Sequence, residues 1–342
     1  MTQHRATLTE VARRAGVSPT TASFVMTGRT DMRISVETRD RVLRVAHELN
    51  YRPNLMARSL RSKVTQTIAL ISDTIATEQY AGQIVYGSLA AAAERRHLLF
   101  IGETEGDPVL EERLINDLLD RQVDGFIYAT MYTRRARVPR SLRGQRLVLL
   151  NCAAAGREIP AVVPDEVGAG RTAAQALIDA GHREGIHLVG ERAPHLIAGN
   201  ERIQGIEAAL GAAGTSLAGS VDCAWWPESA YEATAGFLAA GHLPKALICM
   251  NDRVALGVYQ ALQEAGLGIP EDVSVVSFDD SDLATWLRPQ LTSVALPHQW
   301  LGRRAVEILL GEAEHRGVER LPMPLRHRSS VGSPRGRSRG NG

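Results

Sequence analysis

The sequence has little that would let it be cross-linked, secreted or held in a membrane. Only three of its 342 residues are cysteines. Cys152, Cys223 and Cys249 are far apart, odd in number and form no CxxC pair, which points away from a disulfide frame or a thiolate zinc site and towards reduced thiols in a cytosolic protein. The opening MTQHRATLTEVARRAG has no apolar leader core, and no run of about 18 apolar residues follows. Neither export nor membrane insertion is predicted, and the expected location is the cytoplasm. Lysine is almost missing, since Lys63 and Lys245 are the only two among 39 basic residues; with so much Ala, Gly and Arg, this reads as genome composition more than mechanism. Signatures of common catalysis are missing too: no GxGxxG after a strand, no GxxxxGK[ST], no GxSxG and no HExxH.

What is present is an uneven charge. The formal net charge is +1, yet residues 1–63 carry about +7 and the stretch from Arg326 to Gly342 +5, leaving about −11 for the rest. A basic head on an acidic body implies a polyanionic partner for the head. The 44% apolar content supports sizeable cores, and the length fits two or three domains.

The head has a readable pattern. Thr7-Leu8-Thr9-Glu10 forms a capping box ahead of a short helix with Val11, Ala12 and Ala15 on one side. Gly16 falls where a left-handed turn residue is needed. Ser18 can cap the next helix, with Pro19 at its first position. Helix, glycine turn and capped helix in so short a span is the helix-turn-helix pattern. In the second helix Val17, Ala22 and Val25 face inward, whereas Thr20, Thr21 and Phe24 share the other side, where hydroxyls and a phenyl ring can meet base edges. Ser35 caps a third helix carrying Val42, Val45, Ala46 and Leu49. Pro53 ends that helix, and Asn54 can cap a further short one with Arg58, Leu60, Arg61 and Lys63.

The run from Thr7 to Lys63 resembles the DNA-binding headpiece and hinge of the bacterial LacI/GalR repressor family. The matching pieces are T-L-x-x-V-A-x-x-A-G-V-S, S-x-x-T-R-x-R-V and L-N-Y-x-P-N-x-x-A-x-S-L. The resemblance implies DNA contacts from Thr7, Ser18, Pro19, Thr20, Thr21, Ser23, Phe24, Ser35, Thr38, Tyr51, Asn54, Ala57 and Leu60. It also implies that the hinge helices of two subunits pair and wedge Leu60 into the minor groove. One departure stands out: where the family usually writes T-V-S-R-V-L-N this chain has T-A-S-F-V-M-T, so Phe24 replaces a guanine-reading arginine. The loop GRTDMRI, Gly28 to Ile34, is also longer than the family's commonest form.

From Thr67 onward, apolar strands (TIALIS, LLFIGE, DGFIYA, RLVLLN, GIHLVG, KALICM, DVSVVSF) alternate with amphipathic helices, a rhythm that predicts parallel sheets covered on both faces. His182 and His187 read as structural. The run Asp279-Asp280-Ser281-Asp282 follows an apolar strand and reads as a ligand-gripping carboxylate plus a helix cap, with metal binding as the alternative.

This body resembles the same family's effector-binding core, itself similar to periplasmic sugar-binding proteins. The motifs are GHREGIHLVGE, E-R-x-x-G at Glu201–Gly205, MNDRVALGVYQALQEAGLGIPEDVSVVSFDD and LTSVALPHQWLGRRAVEILLG. The matched cleft positions are Asp73, Tyr80, Asn151, Arg202, Trp225, Asn251 and Asp279. For Trp225 and its neighbour Trp226 a place in the core is the alternative. Around Asp165, VVPDEVGAG departs from the family's D-x-x-x-G context.

The expected architecture is α/β: an all-α helix-turn-helix headpiece over 1–52, a hinge helix over 53–63, a two-lobed parallel-sheet effector and dimerisation domain over 64–330, and a disordered basic tail over 331–342. The tail is expected to lack order from Arg326. The expected function is a homodimeric, non-enzymatic transcriptional regulator, a repressor, on a pseudo-palindromic double-stranded operator. A small molecule, a sugar or sugar derivative, would control it from the interlobe cleft, and no cofactor, metal or membrane is called for. A solute-binding protein or sugar-processing enzyme on the same two-lobed fold is the alternative.

Overall fold

Local capping chemistry sets the three helices of the head. In the computed structural model, which describes residues 6–27, 33–51, 64–75, 82–154, 159–192, 197–311 and 317–334, α1 (Leu8–Ala15), α2 (Pro19–Met26) and α3 (Val36–Glu48) each start at a hydroxyl side chain. Thr7 accepts from the Glu10 amide at 3.2 Å, Ser18 from Thr21 at 3.1 Å and Ser35 from Thr38 at 3.2 Å. Each bond satisfies an amide that has no partner inside its own helix. Gly16 ends α1 at φ 66°, a left-handed turn that a β-carbon would strain. Val11, Ala12, Ala15, Ala22, Val25, Val42 and Ala46 form the small core. Arg41 on α3 adds a long-range tie by donating from Nε to the Ala15 carbonyl at 2.9 Å.

The chain divides into two units, Met1–Thr65 and Gln66–Gly342. The second unit contains two six-stranded sheets. The first sheet uses β1 (Thr67–Ser72), β2 (Leu98–Glu103), β3 (Phe126–Ala136), β4 (Leu147–Ala154), β5 (Ala161–Pro164) and β11 (Val318–Leu321), in the order β11-β5-β4-β3-β1-β2. The second uses β6 (Ile186–Val189), β7 (Gly219–Val221), β8 (Ala246–Cys249), β9 (Ser274–Asp279), β10 (Thr292–Ala295) and β12 (Leu325–Arg326), in the order β12-β10-β9-β8-β6-β7. Every pairing is parallel except β10 with β12. The central strands read as continuous Ile, Leu and Val because both faces are covered.

The covering helices are α4 (Gly82–Glu94), α5 (Pro108–Asp120) and α11 (His298–Leu309) in the first lobe. In the second they are α6 (Glu166–Asp179), α7 (Ile197–Ala212), α8 (Pro227–Ala239), α9 (Asp252–Glu264) and the short α10 (Asp282–Trp286). The chain crosses between lobes three times: from β5 into α6, from β10 into α11, and from β11 into β12, as the core clusters of each lobe make plain.

Two expectations need correction. The tail is ordered well past Arg326. Ser330 is buried, donating to the Val275 carbonyl and accepting from the Thr292 amide, and Gly332 is hydrogen-bonded to Ser274 and His182. Small residues running beside β9 and β10 let the backbone find partners there, so Arg composition alone was a poor guide to order. Residues 335–342 lie outside the described residues. The second correction is β3, which continues beyond Ala129 to Ala136 and resumes its pairing with β4 at Arg134 after a break in register.

Candidate functional site

On α2, Ala22 and Val25 are buried in the head's core, whereas Ser18, Pro19 and Thr20 are exposed at the helix start. Thr21 is half-buried, and its hydroxyl pairs with Ser18 Oγ at 2.9 Å. Ser23 and Phe24 are half-buried, and Phe24 is not one of the apolar side chains packed on the core cluster. Thr7 and Ser35 serve as caps, with the Ser35 hydroxyl donating to Thr38 at 3.1 Å. Tyr51 packs partly on the core. This leaves a short helix with Thr20 exposed at its N-terminal end and Phe24 half-buried outside the core cluster, an arrangement suited to base edges. Asn54, Ala57, Leu60 and the altered loop over 28–32 lie outside the described residues.

The second site lies at the carboxyl ends of the strands, between the lobes. Each sheet switches direction at its first strand, β1 between β2 and β3, and β6 between β7 and β8, and ligands of open α/β sheets sit at such points. Non-glycine residues at positive φ lie within β4 and at the end of β9: Asn151 at 56°, Asp279 at 100° and Asp280 at 52°. Left-handed conformations of this kind cost free energy and gather at binding sites. The break in β3–β4 pairing between Ala129 and Arg134 frees Met131, Tyr132 and Thr133 to line the cleft, the usual effect of a bulge.

Arg202 is the centre of the cleft. It is 3% exposed. Its Nε donates to Glu166 Oε2 at 2.6 Å, Nη2 to Glu166 Oε1 at 3.3 Å and to Asp279 Oδ1 at 3.5 Å, and Nη1 to the Met250 carbonyl at 2.6 Å. The guanidinium carbon lies 4.6 Å from the Phe278 ring centre and 5.7 Å from that of Trp225. What brings Glu166 and Arg202 together is close helix packing. Gly170 of α6 faces the Arg202 carbonyl and Gly205 of α7 faces the Val167 carbonyl, each so near that a β-carbon has no room. Burial pushes the Glu166 carboxyl up, against the pull of Arg202. Burial also works against the Arg202 charge, but Glu166 and then Asp279 outweigh it and hold that guanidinium above its ordinary value. His298, at the second crossing, is lowered by burial against the opposing charge of Asp279.

The structure brings Asn151, Arg202, Trp225, Asn251 and Asp279 into one lining with Glu166, Arg253 and His298. It does not bring Asp73 there. That carboxylate accepts from the Thr74 and Met131 amides, both at 2.8 Å, and from Arg134 at 2.9 Å, which commits it to bracing the β3 bulge. Tyr80 lies outside the described residues. Asn151 is also committed: Oδ1 accepts from Thr133 Oγ1 at 2.6 Å, and Nδ2 donates to the Thr130 and Met131 carbonyls at 3.0 and 2.8 Å. Asn251 caps α9 through the Val254 amide at 2.7 Å.

Trp225 is half-buried, its indole N–H donating to the Glu191 carbonyl at 3.2 Å, and Trp226 is half-exposed with Arg253 over its ring. Within the acidic run Asp279 faces the cleft, and Asp280 pairs with Arg328 and Arg326. Ser281 gives its hydroxyl to Asp252 rather than to a helix cap. Glu166 and His298 were missed by sequence reasoning. The one available signal was the acid in the altered DEVGAG segment.

A helix-turn-helix head and a two-lobed clamp in one chain define a ligand-responsive DNA-binding regulator of transcription. Residues 7–54 match the bacterial regulatory proteins of the lacI family, and residues 174–331 match the periplasmic binding protein-like domain. The chain is 34% identical to the sucrose operon repressor of Escherichia coli, over 95% of this chain and all of that one. It is 32% identical to the ribose operon repressor of Haemophilus influenzae, over 89% of this chain and 91% of the relative. Among solved structures, the lac repressor dimer bound to operator and the anti-inducer ONPF shares the fold with a TM-score of 0.78, at 24% identity over 96% of this chain and all of that one. The complex of the transcriptional regulator CelR with cellobiose superposes with a TM-score of 0.66, at 30% identity over 95% of this chain and all of that one. The chain belongs to the lacI family of bacterial regulatory proteins and is a DNA-binding transcriptional regulator.

Proposed function

We propose that the protein is a homodimeric repressor whose operator affinity is set by a sugar bound in the interlobe cleft, and that the cleft binds this ligand without converting it. The observation that carries this reading is the placement of cleft residues at the lobe crossings. Glu166 opens α6 directly after the first crossing, and Leu296 and His298 form the second. A ligand that draws on both lobes therefore acts on the segments that set the lobe arrangement, and differential contact is what moves a conformational equilibrium. Trp225 offers an apolar face for a pyranose ring, while Asp279 offers a carboxylate to its hydroxyls. The relatives named for sucrose and ribose operons support the ligand class.

Dimerisation has support from an exposed apolar strip. Edge strand β2 exposes Leu98 and Phe100, and α4 exposes Tyr86 and Leu89. An uncovered edge strand of this kind invites pairing, and a second copy on a twofold axis places two heads on one palindrome. Selection of random duplex DNA on the purified protein near physiological salt, about 0.15 M, tests the reading. Recovery of a pseudo-palindrome with a deformable central step is the expected result. Recovery of single, unpaired half-sites contradicts the dimer, and recovery of nothing, with and without pooled sugars, contradicts the operator function.

A further inference from the structure

Arginine in a ligand cleft usually advertises an anion site, because its planar fork meets carboxylate or phosphate with two parallel N–H bonds. Here that fork is already filled. Of the five N–H donors a guanidinium has, Nε–H and one from Nη2 go to the two oxygens of Glu166, another from Nη2 to Asp279, and one from Nη1 to the Met250 carbonyl. One Nη1 hydrogen is left, and a single donor cannot form a fork. Both Glu166 oxygens accept, which is the geometry of an ionised carboxylate. From Arg202 the cleft still offers a ligand one guanidinium N–H, beside the partly exposed Asp279 carboxylate, the Trp225 face and the His298 ring. That ring has no hydrogen-bond partner among the described residues, and burial lowers its affinity for a proton against the opposing charge of Asp279. Arg253, the second guanidinium of the lining, lies over the Trp226 ring, 4.7 Å from its centre.

We propose that this cleft selects uncharged polyhydroxylated ligands and rejects phosphorylated or carboxylated ones, and that Glu166 sets the selection by occupying the fork of Arg202. The inference rests on the reading of the cleft as the effector site and names the ligand class it takes. An incoming phosphate would have to displace a buried carboxylate and leave it unpaired, a cost much larger than a single new ion pair returns. A neutral polyol instead accepts the one free N–H and donates its hydroxyls to Asp279 without disturbing Glu166.

The test is titration of the full-length protein with inorganic phosphate against chloride of equal ionic strength, followed by calorimetry and tryptophan fluorescence. Wild type is expected to show no saturable binding. Glu166→Gln, which removes the charge at nearly constant shape, is expected to bind phosphate at least tenfold more tightly. Circular dichroism and retained operator binding establish that the variant is folded. Saturable phosphate binding by wild type overturns the proposal, as does a folded Glu166→Gln protein with no gain. If that variant does not fold, the wild-type titration decides alone. Phosphate reports on the cleft's charge with no sugar present, so this outcome is read separately from whether any sugar shifts operator affinity, which tests the effector reading itself.

Discussion

The two candidate sites keep their polar side chains in opposite ways. On α2 the candidate groups lie towards the surface: Thr20 is exposed, and Phe24 is half-buried and lies outside the apolar core of the head. In the cleft nearly every polar group is tied to the protein, with Arg202 on Glu166, Asn151 on Thr133 and two carbonyls, and Asn251 on the Val254 amide. The difference follows from what each site meets. Duplex DNA is a large, wet, polyanionic surface that supplies partners for exposed hydroxyls and amides. A small ligand in a closed cleft needs groups already held in place, because ordering them at binding would weaken it.

The contrast can be broken at its strongest point first. Arg202→Met leaves Glu166 buried without its partner and is expected to destabilise the second unit by about 3–5 kcal/mol, measured by chemical denaturation, while the separately packed head keeps its own core. No change in stability would mean the cleft is not tied together through this ion pair.

The next effect is a pH dependence. Asp252 is pushed up to about 7 by burial, with the Asp279 charge adding to it, even though Ser277, Ser293 and Ser281 all donate to its carboxylate. Since the unfolded value is 3.8, the native state holds a proton between roughly pH 4 and 7 that the unfolded chain has lost. Stability from this group is therefore full below that window, declines as pH rises through it, and is flat above. Asp252→Asn should remove the slope, which amounts to no more than about 4 kcal/mol, read as denaturation midpoints at pH 5 and 8. An unchanged slope in the variant would locate the titration elsewhere.

The smallest effect on folding belongs to the open site. Phe24→Arg should leave stability within about 0.5 kcal/mol and yet shift operator preference by about 1–3 kcal/mol at one base pair, towards guanine. Uniform weakening on every sequence would show that Phe24 supports the head rather than reads DNA.

Much of this was legible in the residues. Hydroxyl caps, the Gly16 turn and the alternation of apolar strands with helices each have a short-range cause, so the head and the two-lobed sheets could be read directly. Strands β5, β7, β10, β11 and β12 could not. They are two to four residues long, too short to carry a period, and their neighbours in the sheet define them. In the cleft, Arg202 and Asp279, which lie in quoted motifs, and Trp225, which does not, share one lining. Asp73 was misplaced because its partner Arg134 belongs to a bulge that no local pattern announces. Glu166 and His298 escaped notice because each sits at a lobe crossing, where the first residue of a helix reads as an ordinary first-turn side chain. The role of Glu166 comes from Gly170 and Gly205 letting α6 and α7 touch, and that of His298 from the packing of α11 beside the cleft, both long-range facts.

The most direct test of the account is the operator dissociation constant at fixed salt with and without sucrose, ribose and cellobiose, for wild type and for Asp279→Asn. At least one sugar should change the wild-type constant by about 5–150-fold, a coupling of roughly 1–3 kcal/mol, and have no effect on the variant. Operator affinity that no sugar moves, or a response that survives in Asp279→Asn, would contradict control from this cleft.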